Sequence, residues 1–290
     1  MSNSQHDQTT LFFTVTGDAD AHELIEQYQL RQVEGWNHAE IAEEQYQFEQ
    51  MCLRFTPNEQ PNNFCDVDQV LNGSWTQFPQ YLQRTRQLPA HLKRTLHIVR
   101  HAVNCQSAGF HLSRDSVRQL ARLNAAVILH GYQDVDDGLD FPYAKKLSNP
   151  DREPTQSPYE RVYFSVASED YSAAELTAKI GLAVDQSHSV GDFKRTHPQT
   201  AAPILWDWTS LTINSGLPDD QPIDRHLEAL LSKLETRHAE IWQMAQDYQI
   251  RFYVQAAGYV SNPHERQLSS ETICRLARLG VSLDVDFYFV

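Results

Sequence analysis

The chain is poor in the residues that build nucleotide loops, zinc knuckles and membrane spans. Glycine supplies only 11 of 290 residues, and none fall into G-x-G-x-x-G or G-x-x-x-x-G-K spacing, so a phosphate-cradling loop is disfavoured. The four cysteines, Cys52, Cys65, Cys105 and Cys274, form no C-x-x-C pair, which argues against a zinc or dithiol motif. No apolar run reaches the length of a bilayer span, and Met1–Thr10 is polar, without the apolar core of a secretion signal. From these absences we expect a reduced, cytoplasmic setting, no cofactor and no membrane contact. Positive charge is also scarce. Lys+Arg number 24 against 38 Asp+Glu, for a formal charge of −14. Nucleic acid needs a basic footprint and is not an expected partner. A basic protein is a compatible one, because a negative field speeds its approach, although solubility alone accounts for the same charge.

What is present is a repeat. The segment Leu112–Leu123, LSRDSVRQLARL, aligns without a gap on Leu268–Leu279, LSSETICRLARL. Each runs on into an apolar stretch, Ala125–Tyr132 or Val281–Val290. The beginnings match as well: Phe13 and Val15 correspond to Phe164 and Val166, and Glu23-Leu24 to Glu175-Leu176. Agreement at both ends in the same order points to duplication of a module of about 130 residues. We place the modules at 1–135 and 159–290. The linker at 136–158 holds Pro142, Pro150, Pro154 and Pro158, which disfavour helix and sheet alike. The acidic cluster at its start, around Asp136, Asp137 and Asp140, lacks the glycine-centred loop and closing glutamate of a calcium site and reads as solvated linker.

Both modules show the same pattern of elements. Leu11–Thr16 and Arg161–Ala167 suit strands. Asp18 or Asp20 caps a helix over Ala21–Gln29, and Ser172 caps one over Ala173–Ile180. A strand region follows, Tyr46–Phe55 or Ile204–Ile213, with Trp206 and Trp208 on one face of the pleat. A long amphipathic helix is predicted next, over Leu227–Ala245 and about Pro79–Ala102, then a strand at Ile250–Ala256 with a weaker counterpart at Val103–Ala108. The repeated helix and a last strand close each module. The order β-α-β-β-α-β-α-β predicts an α+β fold of two tandem ferredoxin-like-derived modules, each a sheet with helices on one face.

In the second module, the strand VYFSVAS, the Glu175-Leu176 helix, the Gly191-Asp192 loop, the WDWTS strand and the closing LSSETICRLARLGVSLDVDFYFV come in an order that resembles the bacterial domain-of-unknown-function family 4279. The resemblance covers about Tyr159–Val290. It implies a fold and a bacterial source, and no catalytic residues. The first module is a divergent copy: Asn124 stands where the second has Gly280, and it has neither the Gly-Asp loop nor paired tryptophans.

Several groups could carry chemistry. Asp185–Asp192 with Lys194, Arg195 and His197 is the densest polar cluster. Ser187 or Ser189 beside His188, with Asp185 or Asp192, suggests a hydrolytic triad, but triads are assembled in space and no G-x-S-x-G elbow is present. A turn built on Gly191 and Asp192 explains the same residues. The better functional variant is a binding surface of Asp192, Arg195, Trp206 and Trp208, since tryptophan and arginine dominate interface hot spots. His97 and His101, four apart on the predicted helix, could bind zinc with Cys105, but Arg100 opposes a cation and H-E-x-x-H is absent, so we expect no metal. Arg122 and Arg278 recur in both copies. They read as half-buried guanidinium groups bridging to a carboxylate, and they stay in the candidate binding set. The reading that follows is a non-catalytic protein of the bacterial cytosol that binds a protein partner, in particular an immunity or antitoxin-like protein that occludes a basic toxin. A hydrolase using the 185–197 loop and a module that self-associates through a sheet edge are the alternatives. The sequence specifies neither the partner nor the oligomeric state.

Overall fold

The computed structural model describes residues 8–30, 33–37, 50–55, 67–75, 87–103, 107–134, 160–196, 200–247, 249–260 and 264–289. The linker at 136–158, Cys65, Cys105 and His197 lie outside them. The strands of the first half are β1 (Gln8–Gly17), β2 (Val33–Trp36), β3 (Met51–Phe55), β4 (Lys93–Val103), β5 (Ser107–Leu112) and β6 (Ala126–Asp134), with helices α1 (Ala21–Gln27), α2 (Val67–Trp75) and α3 (Arg114–Leu123). Those of the second are β7 (Glu160–Ser168), β8 (Gln186–His188), β9 (Phe193–Thr196), β10 (Pro203–Leu205), β11 (Thr209–Asn214), β12 (Ile250–Val260), β13 (His264–Leu268) and β14 (Ser282–Phe289), with α4 (Ala173–Ile180), α5 (Ile223–Glu235), α6 (His238–Met244) and α7 (Ser270–Leu279). The fold is α+β.

The described strands form two six-stranded mixed sheets and a two-stranded ribbon. Sheet one runs β13-β6-β4-β1-β3-β2, and sheet two runs β5-β14-β12-β7-β11-β8. The orders correspond strand for strand, and each edge strand comes from the other half. β13 adds antiparallel to β6 through His264–Leu268 against Val127–Gly131, and β5 adds antiparallel to β14 through Ser107–Leu112 against Leu283–Tyr288. Within each sheet β4 and β6, or β12 and β14, are parallel, and the other pairings are antiparallel. A single buried cluster runs from Leu11 to Phe287 and includes residues of both halves. The two copies are therefore interlocked by reciprocal strand exchange, with α3 packed along α7 between them.

The repeat signature has a direct physical meaning. Leu112 and Leu268 end the exchanged strands and are buried. Ser113 and Ser269 are N-caps whose hydroxyls accept from the Ser116 and Thr272 amides, satisfying a helix N–H that has no intrahelical partner. The apolar residues of each LARL turn face the core, and Asn124 and Gly280 both adopt the left-handed conformation that ends the helix. A Cβ on Gly280 would come within 3.1 Å of the Trp242 ring, so the second copy needs glycine for closeness as well as for φ. The Ser172 cap is observed as a full capping box with Glu175.

Four sequence expectations are corrected. Residues 93–102 form β4, not a helix. Leu92 and Leu96 fit helical spacing, but Leu96, Ile98 and Ala102 point inward with period two, among β-branched Thr95 and Val99. His97 and His101 thus share a strand face. The predicted helix 227–245 is two helices, α5 and α6, broken at Thr236 and Arg237. The strand predicted over 204–213 is two strands, and Trp206 and Trp208 sit in the bend between them. The module order also gains a strand, β5 or β13, that polar composition (SAGFHL, HERQL) hid.

Candidate functional site

The ribbon β9–β10 stands at the β8 end of sheet two. Gly191, at φ 86°, turns the chain out of β8, and its amide donates to the Trp206 carbonyl at 2.8 Å while the Trp206 amide donates to the Asp192 carbonyl at 2.9 Å. No atom lies within 4 Å of a Cβ placed on Gly191, so the left-handed backbone alone demands glycine there. The Asp192 carboxylate accepts from the Ser189 amide at 2.6 Å and closes the turn. Four large apolar side chains of this region face solvent: Phe193 at 63% exposure, Leu205 at 51%, Val190 at 49% and Trp208 at 38%. Only one other large apolar side chain among the described residues is comparably exposed, Trp242 on α6.

Behind the ribbon the aromatics are ordered by their own contacts. His188 stacks on Trp206 with centroids 3.7 Å apart, and Trp208 meets Trp206 edge-on at 5.4 Å. The Lys194 ammonium sits 4.0 Å from the Trp206 centroid and 5.0 Å from that of Trp208. His188 and Trp206 of this cluster wall a cleft of about 400 Å³ lined also by Asp192, Phe193, Gln186, Ser210 and Thr212. Burial lowers the His188 pKa, helped by the Lys194 ammonium and opposed by Asp192.

The expected binding residues divide into two places. Asp192, Trp206 and Trp208 come together here, and Arg195 lies on β9, exposed, in register with Ile204. Arg122 and Arg278 lie elsewhere, exposed near the ends of α3 and α7. A buried bridging guanidinium is found at Arg275, one turn before Arg278, which pairs with Glu235 at 2.8 Å and with Glu228. Its spacing on α7 could have revealed it, since residue 275 falls on the buried side with Leu276 and Leu279. Lys194 and Phe193 were legible only as exposed loop residues.

No hydrolytic triad is assembled among the described residues. The Ser189 hydroxyl accepts from the Ala173 amide at the start of α4, Asp192 is committed to the turn, and the buried Nε2 of His188 has no hydrogen-bond partner. Nor does any group of three His, Cys, Asp or Glu among the described residues have the spacing of a metal site. His97 and His101 do not converge on a common point: His97 bonds His130, while His101 stacks on Tyr132. No helix among the described residues is long and apolar enough to cross a membrane.

Residues 157–290 match the model of the family described as Domain of unknown function (DUF4279), and the ribbon and cleft lie within the matched segment. The match does not extend to the first copy. Among curated proteins, nothing matches the chain.

Proposed function

We propose that this chain is a non-catalytic binding protein of the bacterial cytosol whose contact element is the β9–β10 ribbon of the second module, and that it acts as an immunity or antitoxin-like inhibitor of a basic toxin. The observation that carries the reading is the ribbon itself, with Phe193 and Leu205 paired and exposed on it and Val190 and Trp208 exposed in the turns that flank it. Large exposed apolar patches on soluble proteins mark interaction sites, and aromatic anchors rimmed by charge supply most interface energy. The surrounding charge of −14 favours a basic partner. The β4-β1-β3-β2 order, antiparallel throughout, supports reading each module as a ferredoxin-like unit extended by a parallel strand and an exchanged one.

The test is co-expression with the product of the neighbouring gene. The natural chain rescues growth and co-purifies with that product, and the double variant Phe193→Ala/Leu205→Ala does neither while melting normally. Absence of rescue by the natural chain, or equal rescue by the variant, removes the proposal.

A further inference from the structure

The outer face of sheet one carries a row of side chains that the ribbon does not involve. Arg54 of β3 lies over the Phe12 ring of β1 at 4.4 Å, Phe12 stacks on His97 of β4 at 4.4 Å, and His97 stacks on His130 of β6 at 5.3 Å. Glu265 of the exchanged strand β13 ends the row, 3.5 Å from His130 Nδ1. Hydrogen bonds connect part of it: Thr14 Oγ1 to His97 Nε2 at 2.9 Å, and His97 Nδ1 to His130 Nε2 at 3.0 Å.

Arg54 is the anomaly. It is half-buried, its Nε is shut off from solvent without an acceptor, and it makes no ion pair among the described residues, the exposed Glu34 at its β2 register position included. Guanidinium groups are rarely buried unpaired, and an orphaned buried donor calls for a missing acceptor. The Nε atoms of Arg100 and Arg266 also lack an acceptor, but their other nitrogens have the Gly109 carbonyl and Glu160, while Arg275 has Glu228 and Glu235 and Arg94 has the Leu88 and Leu92 carbonyls. Arg54 stands directly opposite Thr14 in the β1–β3 register, and Thr14 is only 7% exposed. We propose that Arg54 and Thr14 form a binding site for a small oxyanion, a phosphate or carboxylate group, backed by the His97–His130 pair.

The pair gives the site a proton account. Without a ligand and with both rings neutral, the Thr14 hydroxyl donates to His97 Nε2, His97 Nδ1–H donates to His130 Nε2, and His130 Nδ1–H faces Glu265. An oxyanion that takes the Thr14 hydroxyl hydrogen reverses the chain. His97 Nε2–H then donates to Thr14, His130 Nε2–H donates to His97 Nδ1, and His130 keeps its Nδ1–H toward Glu265. The reversal needs one more proton, which enters from solvent at His130 beside the exposed Glu265. The charged groups acting on the pair are Arg54 from β3 and Glu265 from β13. Cys52 and His101 lie further along the same face. Sheet two has Thr212 in place of Arg54, so the site belongs to the first module alone.

The probes are inorganic phosphate and acetate, titrated separately into the full chain by calorimetry in buffers of different ionisation enthalpy. One-to-one saturable binding with net uptake of one proton is expected. Binding of phosphate but not acetate assigns a phosphoryl ligand, and the converse a carboxylate. Arg54→Met weakens binding at least tenfold, and Arg54→Lys restores part of it. If Arg54→Met does not fold, Thr14→Val serves, and it removes the proton uptake. Failure of both probes to saturate, or unchanged binding in the folded Arg54→Met or Thr14→Val chain, overturns the proposal.

Discussion

Five matched positions cross the outer faces of the two sheets, and they hold opposite chemistry. In sheet one they are Arg54, Phe12, His97, His130 and Glu265. In sheet two the same register positions are Thr212, Tyr163, Gln255, Asp286 and Gly109. The second row is joined by hydrogen bonds, with the Tyr163 hydroxyl donating to Gln255 Oε1 and Gln255 Nε2 donating to Asp286 at 2.9 Å. Gly109 makes room for it, because a Cβ there would meet an Asp286 oxygen at 2.7 Å. The inner faces, by contrast, stay alike: Phe13 and Leu53 in one, Phe164 and Leu211 in the other, all buried. Duplication has kept the core and the exchanged-strand frame while the outward side chains diverged. The outer faces and the ribbon are therefore where the two halves differ chemically.

The frame common to both rows can be broken at one place. β14 pairs with β12 of its own half and with β5 of the other. Deleting residues 282–290 removes Leu283, Val285 and Phe287 from the core, about 6 kcal/mol at roughly 2 kcal/mol each, comparable with the whole stability of a domain. The expected result is loss of cooperative melting in the entire chain. A surviving transition with about half the calorimetric enthalpy would show that the first half stands without its partner strand.

A second substitution moves one row toward the other. His97 has its pKa lowered to about 3 from 6.5, by burial first and then by His130 and Arg54. The unfolded chain takes up this proton as pH falls below 6.5, while the folded chain does not until about pH 3. Stability attributable to the neutral ring is thus complete above pH 6.5 and is lost on acidification, with a limiting slope of about 1.4 kcal/mol per pH unit. His97→Gln, the residue of the second row, removes that slope. Parallel denaturant titrations of both chains between these pH values measure it, and identical slopes would exclude His97 as the cause.

The reverse comparison uses the ends of the rows. Gly109→Val forces Asp286 off Gln255 and costs about 1–3 kcal/mol, whereas Glu265→Val at the matching exposed position of sheet one stays within about 0.5 kcal/mol. Equal effects in denaturant midpoints would mean that the Gly109–Asp286 packing contributes nothing.

The duplication, the caps at Asp20 and Ser172, and the closing strands were legible in the sequence because each rests on a local signal: an N-cap side chain, a period-two run or a repeated string. The strand exchange was not, since β5 and β13 pair with partners more than 100 residues away and carry polar sequences whose period is obscured. β4 was misread because Leu92 and Leu96 satisfy both periods, and the sheet partners that decide between them, β1 and β6, are distant in sequence. Trp206, Trp208, Asp192 and Arg195 could be grouped because they are close along the chain. The row from Arg54 to Glu265 could not, because its members come from five strands and only the register aligns them.

The smallest expected effect on stability belongs to the ribbon, and it separates binding from folding. Phe193 and Leu205 are more than half exposed, so truncating both to alanine removes little buried area. Their cost should stay within about 0.5 kcal/mol in denaturant titration, against losses several times larger for buried Leu211 of the neighbouring β11. A loss of stability well above that would make the ribbon a covered part of the fold rather than a contact surface. The first module offers the control: it lacks paired tryptophans, and Arg54→Met on its outer face leaves the ribbon intact. If the ribbon variant loses the protein partner and Arg54→Met does not, the two modules carry separable activities on a shared frame.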